Sequence, residues 1–539
     1  MKLLRGCAAC RLSLLANAMQ PVLNREQMRH YDTLAVSEGK LPGIVLMENA
    51  GRGAATLLQQ LIAQAGQSRC NVIIICGPGN NGGDGYVVAR HLLASHTAQA
   101  SVRVLILAER SQIQGDARTN LECLLALAAE TVTFCPTGGA ELRAALADAH
   151  FVVDALFGTG LSRPLDGKML QAVHLINASA GIRIALDVPS GLDCNTGQEL
   201  GSCVEAHHTF TFAYPKPGLL TPQGKDKSGK LHTIGLCIPD SAILARTGQT
   251  AALLSAEDII RLLPTRQAST YKHRAGDILV IAGSPGKTGA AKLAAHAALR
   301  AGAGLATICT WQDALPALAT EVKEVMLSAL SDTNIPEDLA RAMAKRHAVL
   351  IGPGFGTGNT AHTALEYVLK HVSVPLVIDA DALTLIANNP ELAGLIPHNA
   401  VLTPHSGELA RLLQKTPREI EADRYAAVAQ AAARFRCAVL LKGAHTLIAN
   451  TEQTIVSPWA NPVLATAGSG DVLAGIMTAL AAQMETWKAA QAAVYLHGLA
   501  GQIWSSAKHA DRGMLAGDIA DTLPEAIGDL VEKARNAQA

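Results

Sequence analysis

The stretch Thr466-Ala-Gly-Ser-Gly-Asp471 carries the residue types that phosphoryl transfer needs. Gly468, Ser469 and Gly470 can present consecutive backbone N–H groups as an anion pocket at the head of the apolar run Val472–Ala482, where a helix macrodipole would strengthen it. Asp471 would then stand beside an incoming phosphoryl group, placed to take the proton of an attacking hydroxyl. The same residues alone would also serve as a tight turn and a helix start. Neighbouring segments add chemistry: Ile351-Gly-Pro-Gly354-Phe-Gly356, Val377-Ile-Asp379-Ala-Asp381, Leu402-Thr-Pro-His405-Ser-Gly-Glu408 and Leu441-Lys442-Gly443-Ala444-His445-Thr446. A histidine after proline can simply cap a loop, whereas a lysine at a strand end in the same crevice is harder to explain structurally. Gly283-Ser-Pro-Gly-Lys-Thr-Gly289 comes close to a Walker A loop but lacks its spacing, so a P-loop is excluded and Lys287 reads as a solvated loop charge.

The first half holds a different set. The apolar run Val72–Cys76 enters Gly77-Pro-Gly-Asn80-Asn81-Gly82-Gly83-Asp84-Gly85, a strand-to-helix turn whose glycines let backbone N–H groups approach a phosphate. Asn80, Asn81 and Asp84 are unusually polar for a mere turn. Asp154 ends a strand-like run before a second glycine loop, Gly158-Thr159-Gly160-Leu161-Ser162-Arg163-Pro164. Asp187 and Ser190 follow another, in Asp187-Val-Pro-Ser190-Gly-Leu-Asp193, and Phe212-Ala-Tyr-Pro-Lys-Pro-Gly218 forms a rigid loop near the end of this half. An aspartate at a strand end often only caps a turn. Several in order make a site.

These residues need elements to hold them. Apolar strand-like runs alternate with Ala/Leu-rich helical stretches, the pattern of parallel sheets covered by helices. The runs are Val72–Cys76, Val102–Leu107, Phe151–Asp154 and Ile182–Asp187, then Ile278–Ala282, Ala306–Thr310, Ala348–Ile351, Leu376–Asp379, Ala400–Leu402 and Ala438–Leu441. Several end in Gly, Asp or Pro, and strand C-termini are where open α/β sheets bind ligands. A chain of 539 residues exceeds one ordinary core, and the boundary is expected between Pro239 and Leu262. The expected layout is an extension over 1–19, one domain over 20–244 and another over 254–532.

With 45 residues of each charge sign and 3% aromatics, the chain has neither a basic field nor stacking platforms for nucleic acid. No uninterrupted run of 18 apolar residues suggests a membrane span. The eleven scattered cysteines fit a reduced cytoplasm. The apolar helices leave room for a homo-oligomer.

The segments Leu46-Met-Glu-Asn-Ala-Gly51, Asn80–Gly85 and Asp187–Asp193 resemble the NAD(P)H-hydrate epimerase domain over roughly residues 24–240. The resemblance implies a Rossmann-like three-layer fold and a potassium ion held by Asn81, Asp154 and Ser190. It also implies substrate contacts from Asn80–Asp84, Gly158–Pro164 and Asp187. Asp187 as the proton shuttle of epimerisation is a hypothesis on residue type.

The second half resembles ADP/ATP-dependent NAD(P)H-hydrate dehydratase, of the ribokinase-like superfamily, over about 270–500. Arg300-Ala-Gly-Ala303-Gly-Leu305, Gly352–Gly356, Thr403–Glu408, Lys442–Thr446 and the Gly-Ser-Gly-Asp turn carry the likeness. It implies that Lys442, Gly443, Ala444, His445, Thr446 and Gly470 contact the adenine nucleotide, and that Ala303, Gly354, His405 and Asp471 contact the hydrate. ADP or ATP with magnesium would be the co-substrate, and NADH hydrate and NADPH hydrate the substrates. A vitamin-precursor kinase fused to a non-catalytic domain is the competing reading.

Overall fold

The computed structural model describes residues 19–66, 69–95, 100–239, 241–248, 250–320 and 323–536. Nearly all of the expected 1–19 extension lies outside them. The chain divides into two compact units, Pro21–Thr250 and a second made of Ala251 onward together with the residues up to Gln20.

The first unit is built on seven parallel strands: β1 (Cys70–Cys76), β2 (Ala100–Ile106), β3 (Val132–Phe134), β4 (Phe151–Ala155), β5 (Ile182–Leu186), β6 (His208–Phe212) and β7 (Lys230–Ile234). Their order is β3-β2-β1-β4-β5-β6-β7. Strand β1 shows why the sheet carries three layers. Val72, Ile74 and Cys76 pack with the helices Gly43–Ala65, Asn80–Ala94 and Gly115–Ala128, while Ile73 and Ile75 pack with Ala140–Leu146 and Gly167–Ala178. A strand buried on both faces reads as one continuous apolar run, which is how it shows in the sequence. The strand order reverses at β1, so the crevice outside the C-terminal ends of β1 and β4 is the topological place for a ligand.

The second unit holds β8 (Ala251–Leu253), β9 (Asp277–Ile281), β10 (Leu305–Trp311), β11 (Met326–Leu330), β12 (Ala348–Ile351), β13 (Leu376–Ile378), β14 (Ala400–Leu402), β15 (Ala438–Leu441), β16 (Leu447–Ala449) and β17 (Thr454–Val456). They run in the order β8-β17-β16-β15-β14-β13-β12-β9-β10-β11, with β16 antiparallel to both neighbours and every other pair parallel. The helix Ser469–Ala481 is buried along its length apart from Gly470 and Asp471, as an all-round apolar helix must be. It lies against Thr288–Arg300, whose alanines 291, 294, 295, 297 and 298 are buried. At Gly475 a Cβ would come within 2.1 Å of Ala294 O, so glycine sets how closely the two helices approach. Among the described residues no helix is long and apolar enough to cross a membrane.

Candidate active sites

In the first unit the strand ends converge on a cavity of about 960 Å³. Asp187 follows β5 with φ 64°, the centre of a γ-turn closed by Val188 N–H donating to Leu186 O at 2.8 Å. That turn delivers its carboxylate to the cavity. Lys216, 1% exposed, donates to Asp187 Oδ1 at 2.5 Å, to Thr211 Oγ1 at 2.9 Å and to Phe212 O at 2.8 Å. Thr159 N–H donates to the other oxygen, Oδ2, at 3.2 Å. A Cβ on Gly158 would meet Asp187 Oδ2 at 2.8 Å, which is why the second glycine loop can close over the aspartate. Asp84, buried in the helix that opens at Asn80, is held well above the usual carboxylate range by burial, with Asp187 and Asp32 adding repulsion.

Asn80, Asn81, Asp84, Gly158–Arg163 and Asp187 all border this cavity. Pro164, Gly82 and Gly83 do not. Gly82 packs on the Gly77 carbonyl, and Gly83 packs on Met47. Asp154 and Ser190 also lie off the cavity lining, bound to each other. Ser190 Oγ donates to Asp154 Oδ1 at 2.6 Å and its N–H to Oδ2 at 2.8 Å. Burial raises Asp154 to about 6, opposed by these hydrogen bonds.

The donor set can be tested for the implied potassium. Asn81 Oδ1 and Nδ2 are buried without a hydrogen-bond partner among the described residues, an arrangement that costs free energy unless something is bound there. Amide, carboxylate and hydroxyl oxygens suit a hard cation. The donor types suit the ion, with the Asp154 and Ser190 oxygens hydrogen-bonded to each other.

In the second unit the corresponding cluster gathers where β13, β14 and β15 end. Lys442 Nζ lies 2.8 Å from Asp379 Oδ1 and 3.8 Å from Glu408 Oε2. It also reaches the turn, since a Cβ on Gly470 would sit 3.4 Å from it. Burial works against the Lys442 charge, but Asp379 and Glu408 outweigh it and hold the ammonium above the usual lysine range. Asp471 is pushed up to about 6 by burial and by repulsion from Asp379, with Lys442 pulling the other way. Behind the turn stands His497, buried, with Nε2 3.0 Å from Ser469 Oγ and 3.1 Å from Ser469 O. Burial lowers it to about 4, so it is neutral at pH 7.

His405 is the N-cap of the helix Ser406–Leu413, its Nδ1 accepting from Gly407 N–H at 2.9 Å while its own N–H donates to Glu408 Oε2 at 2.8 Å. Its exposed Nε2 joins the cluster through Glu408, 3.6 Å away. Gly354, at φ 59°, presses on the Lys287 carbonyl. Lys287 is exposed, as a loop charge would be, yet its Nζ lies 3.7 Å from Asp381 Oδ2 at the crevice rim. In the 442–446 turn it is the Lys442 side chain that reaches the cluster. Gly443, at φ 146°, sits over Arg424, His445 Nδ1 lies 2.9 Å from Ser457 O, Thr446 Oγ1 donates to Gly443 O, and Ala444 is half-buried.

Ala303 does not join the others. It sits between the end of Thr288–Arg300 and the start of β10, at the N-terminal edge of the parallel strands, whereas Asp379, Lys442 and Asp471 gather at the C-terminal edge. A motif names a residue without fixing its side of the sheet.

Sequence reasoning passed over Lys216, Asp32, His497 and the buried Arg424. The Arg424 guanidinium donates to the Lys442 carbonyl at 3.1 Å and to Glu421 at 2.6 Å. The Phe212–Gly218 motif already contained Lys216; its partner Asp187 is 29 residues away in sequence, beyond any local pattern.

Residues 43–218 match the family described as YjeF-related protein N-terminus, and 278–525 the one described as NAD(P)H-hydrate dehydratase. A bifunctional NAD(P)H-hydrate repair enzyme of Moorella thermoacetica is 39% identical over 520 residues, spanning 94% of this chain and 96% of its own. The chain belongs to the bifunctional NAD(P)H-hydrate repair family. A family member from Vibrio cholerae is 35% identical across 93% of this chain and 97% of its own length. Among solved structures, the ADP/ATP-dependent NAD(P)H-hydrate dehydratase of Bacillus subtilis, co-crystallised with ATP and Mg2+, is 27% identical over 51% of this chain and 97% of its own, with TM-score 0.45. The two family matches fall one in each unit, and each contains its cluster: Asn81, Asp154, Asp187 and Lys216 in the first, Asp379, Lys442 and Asp471 in the second.

Proposed function

We propose that the first unit interconverts the R and S epimers of NADH hydrate and NADPH hydrate, and that the second dehydrates the S form at the expense of ADP, giving AMP and phosphate. The observation that carries this reading is the end-to-end likeness to a bifunctional repair enzyme, with a carboxylate–lysine cluster at strand ends in both units.

In the second unit Asp471 removes the proton from the C6 hydroxyl as that oxygen attacks the terminal phosphorus of the nucleotide. The N–H groups of Gly468 and Gly470 and the Lys442 ammonium receive the charge that develops on phosphate oxygens, the Ser469 N–H being given to Thr466 O at 3.3 Å rather than joining the pocket. The phosphorylated oxygen then departs with the C–O electron pair, the ring-nitrogen lone pair forms a C=N bond, and loss of the C5 proton restores the dihydropyridine. Hydroxide is a poor leaving group and phosphate a good one, so a kinase-type step ends in elimination. Asp379, Glu408 and Asp381 already face the Lys442 and Lys287 ammonium groups; a magnesium ion arriving with the nucleotide would add neutralisation of phosphate charge.

In the first unit Asp187 exchanges a proton with the C6 oxygen while Lys216 compensates its charge, and the Asn80–Asp84 and Gly158–Pro164 loops hold the cofactor. Asn81, Asp154 and Ser190 would hold potassium, whose positive charge would offset that of the neighbouring carboxylates. The described cysteines are all free, and all but Cys123 and Cys237 are buried, in keeping with a reducing cytoplasm.

The test is a mixed-epimer hydrate incubated with the full chain and either ADP or ATP, following the return of dihydronicotinamide absorbance. Complete recovery is expected, faster with ADP. Recovery stopping at the S fraction removes the epimerase assignment, and no recovery with either nucleotide removes the dehydratase.

A further inference from the structure

The N-terminal cavity has a second wall. The helix Arg25–Ser37 presents Met28, Arg29, Asp32, Thr33 and Val36 to it, the spacing of one helical face. Three anchors fix this helix against the loops of the site. Leu23 N–H donates to Pro215 O at 3.0 Å, and Tyr31 meets Tyr214 edge-on at 5.5 Å, two residues before Lys216. Arg25 Nε and Nη2 donate to Thr159 O at 2.7 Å and Leu161 O at 2.6 Å. Asp32 therefore borders the same space as Asp187 and Lys216 but from a different element, and its charge couples to both.

Inverting C6 by loss and return of water requires proton transfer on both faces of the nicotinamide ring. A carboxylate on one wall serves one face. We propose that Asp32 is the second acid–base group of the epimerase, acting on the ring face opposite Asp187. The inference rests on the reading of this cavity as the epimerase site. One carboxyl protonates the C6 hydroxyl as the C6–O bond breaks. Its electron pair leaves with water, and the ring-nitrogen lone pair forms C6=N. Water then adds to C6 from the other face, its proton passes to the other carboxylate, and the C=N pair returns to nitrogen. Each inversion moves one proton from one aspartate to the other, and the next inversion, run in reverse, moves it back.

The family match begins at residue 43, so it does not include Asp32. Desolvation in the cavity raises Asp32 to about 6, with Lys216 pulling it down and Asp187 pushing it up. Asp84, Arg29, Asp116 and Arg163 complete the charged groups that border the space. A carboxyl so placed can give and take a proton near neutral pH.

The experiment uses the full chain without nucleotide, separating the epimers by chromatography in heavy-oxygen water. In Asp32→Asn, inversion should fall at least about 100-fold while KM for the hydrate changes by less than about threefold. One epimer should exchange its C6 oxygen with solvent without inverting, and the other should do neither. Asp32→Glu keeps the carboxyl and should recover at least about tenfold over Asn. Unchanged dehydration of the S form and an unchanged melting transition of the first unit would show that the variants are folded. Inversion by Asp32→Asn within threefold of the parent overturns the proposal, as does exchange lost equally from both epimers. A parent chain that fails to invert overturns the epimerase reading itself.

Discussion

Lys216→Met is the sharpest perturbation of the first site. The ammonium is 1% exposed and satisfies Asp187, Thr211 and the Phe212 carbonyl within 2.9 Å. Its loss strands one carboxylate and two neutral acceptors. Removing one partner of a buried pair costs about 3–5 kcal/mol. Asp187 borders the cavity and its side chain is 12% exposed, so water relieves part of the penalty and the lower end, about 3 kcal/mol, applies. For a unit the size of Pro21–Thr250, where 1 kcal/mol moves the melting temperature by about 2–4 °C, the transition should drop by about 6–12 °C. Calorimetry on the full chain reads this directly, with dehydration of the S epimer unaffected as the internal control. Epimerisation should vanish. The double variant Lys216→Met with Asp187→Asn removes the stranded charge, keeps a side chain that tolerates the φ of 64°, and should regain part of the lost stability while remaining inactive. A single variant that melts within about 2 °C of the parent would refute the claim that this pair is buried and charged. So would a double variant less stable than the single.

Asp471 must be deprotonated to accept a proton, and it sits at about 6; dehydration should therefore be flat above that pH and fall about tenfold per unit below it, and a rate still flat at pH 4.5 would remove Asp471 as the base. Asp471→Asn should cost on the order of hundreds-fold in dehydration rate while epimerisation continues, which the nucleotide-free assay checks. His497→Ala leaves Ser469 without its buried partner and should lower dehydration about tenfold with no new pH dependence between 6 and 8; a parental rate would show that the turn holds its shape without the imidazole. Arg25→Ala withdraws donors from Thr159 O and Leu161 O, so KM for the hydrate in epimerisation should rise about tenfold as the loop loosens, and an unchanged KM would deny that role to Arg25.

Strands were legible where burial on both faces makes an unbroken apolar run, as at Val72–Cys76 and Ile278–Ala282. They were not legible at the sheet's margins. β11 is an edge strand with one buried residue in five, and β16 and β17 leave the parallel strand-and-helix alternation for a short antiparallel hairpin, so the pattern that marks the other strands is missing. The site followed the same logic. Asp154, Asp187, Asp379 and Lys442 could be named because each stands at or just after a strand's C-terminal end, a place with a topological meaning. Asp32 has no such marker. It lies mid-helix, in a sequence that reads as an ordinary solvated face, and the packing of Tyr31 on Tyr214, with the hydrogen bonds of Leu23 and Arg25, turns that face toward the cavity. His497 was hidden for the opposite reason, as a polar residue in the buried middle of a long helix whose partner, Ser469, lies 28 residues back.

The two units share an electrostatic arrangement that their different topologies conceal. In each, a largely buried lysine pairs with one strand-end aspartate, Lys216 with Asp187 and Lys442 with Asp379. In each, another aspartate coupled to that lysine is raised to about 6, Asp32 in the first and Asp471 in the second. The lysine admits one carboxylate to a desolvated site, and burial there raises the other acid, with the paired aspartate adding repulsion and the lysine opposing it, the separation acid–base chemistry needs at pH 7. What differs is the surroundings of the pair. The second unit sets Gly468–Gly470 at the head of a buried helix, so its aspartate can direct an oxygen onto phosphorus. The first surrounds its pair with the Asn81 amide, unpartnered among the described residues, and with carboxyl groups on two walls, the setting that the proposed proton exchange with the ring requires.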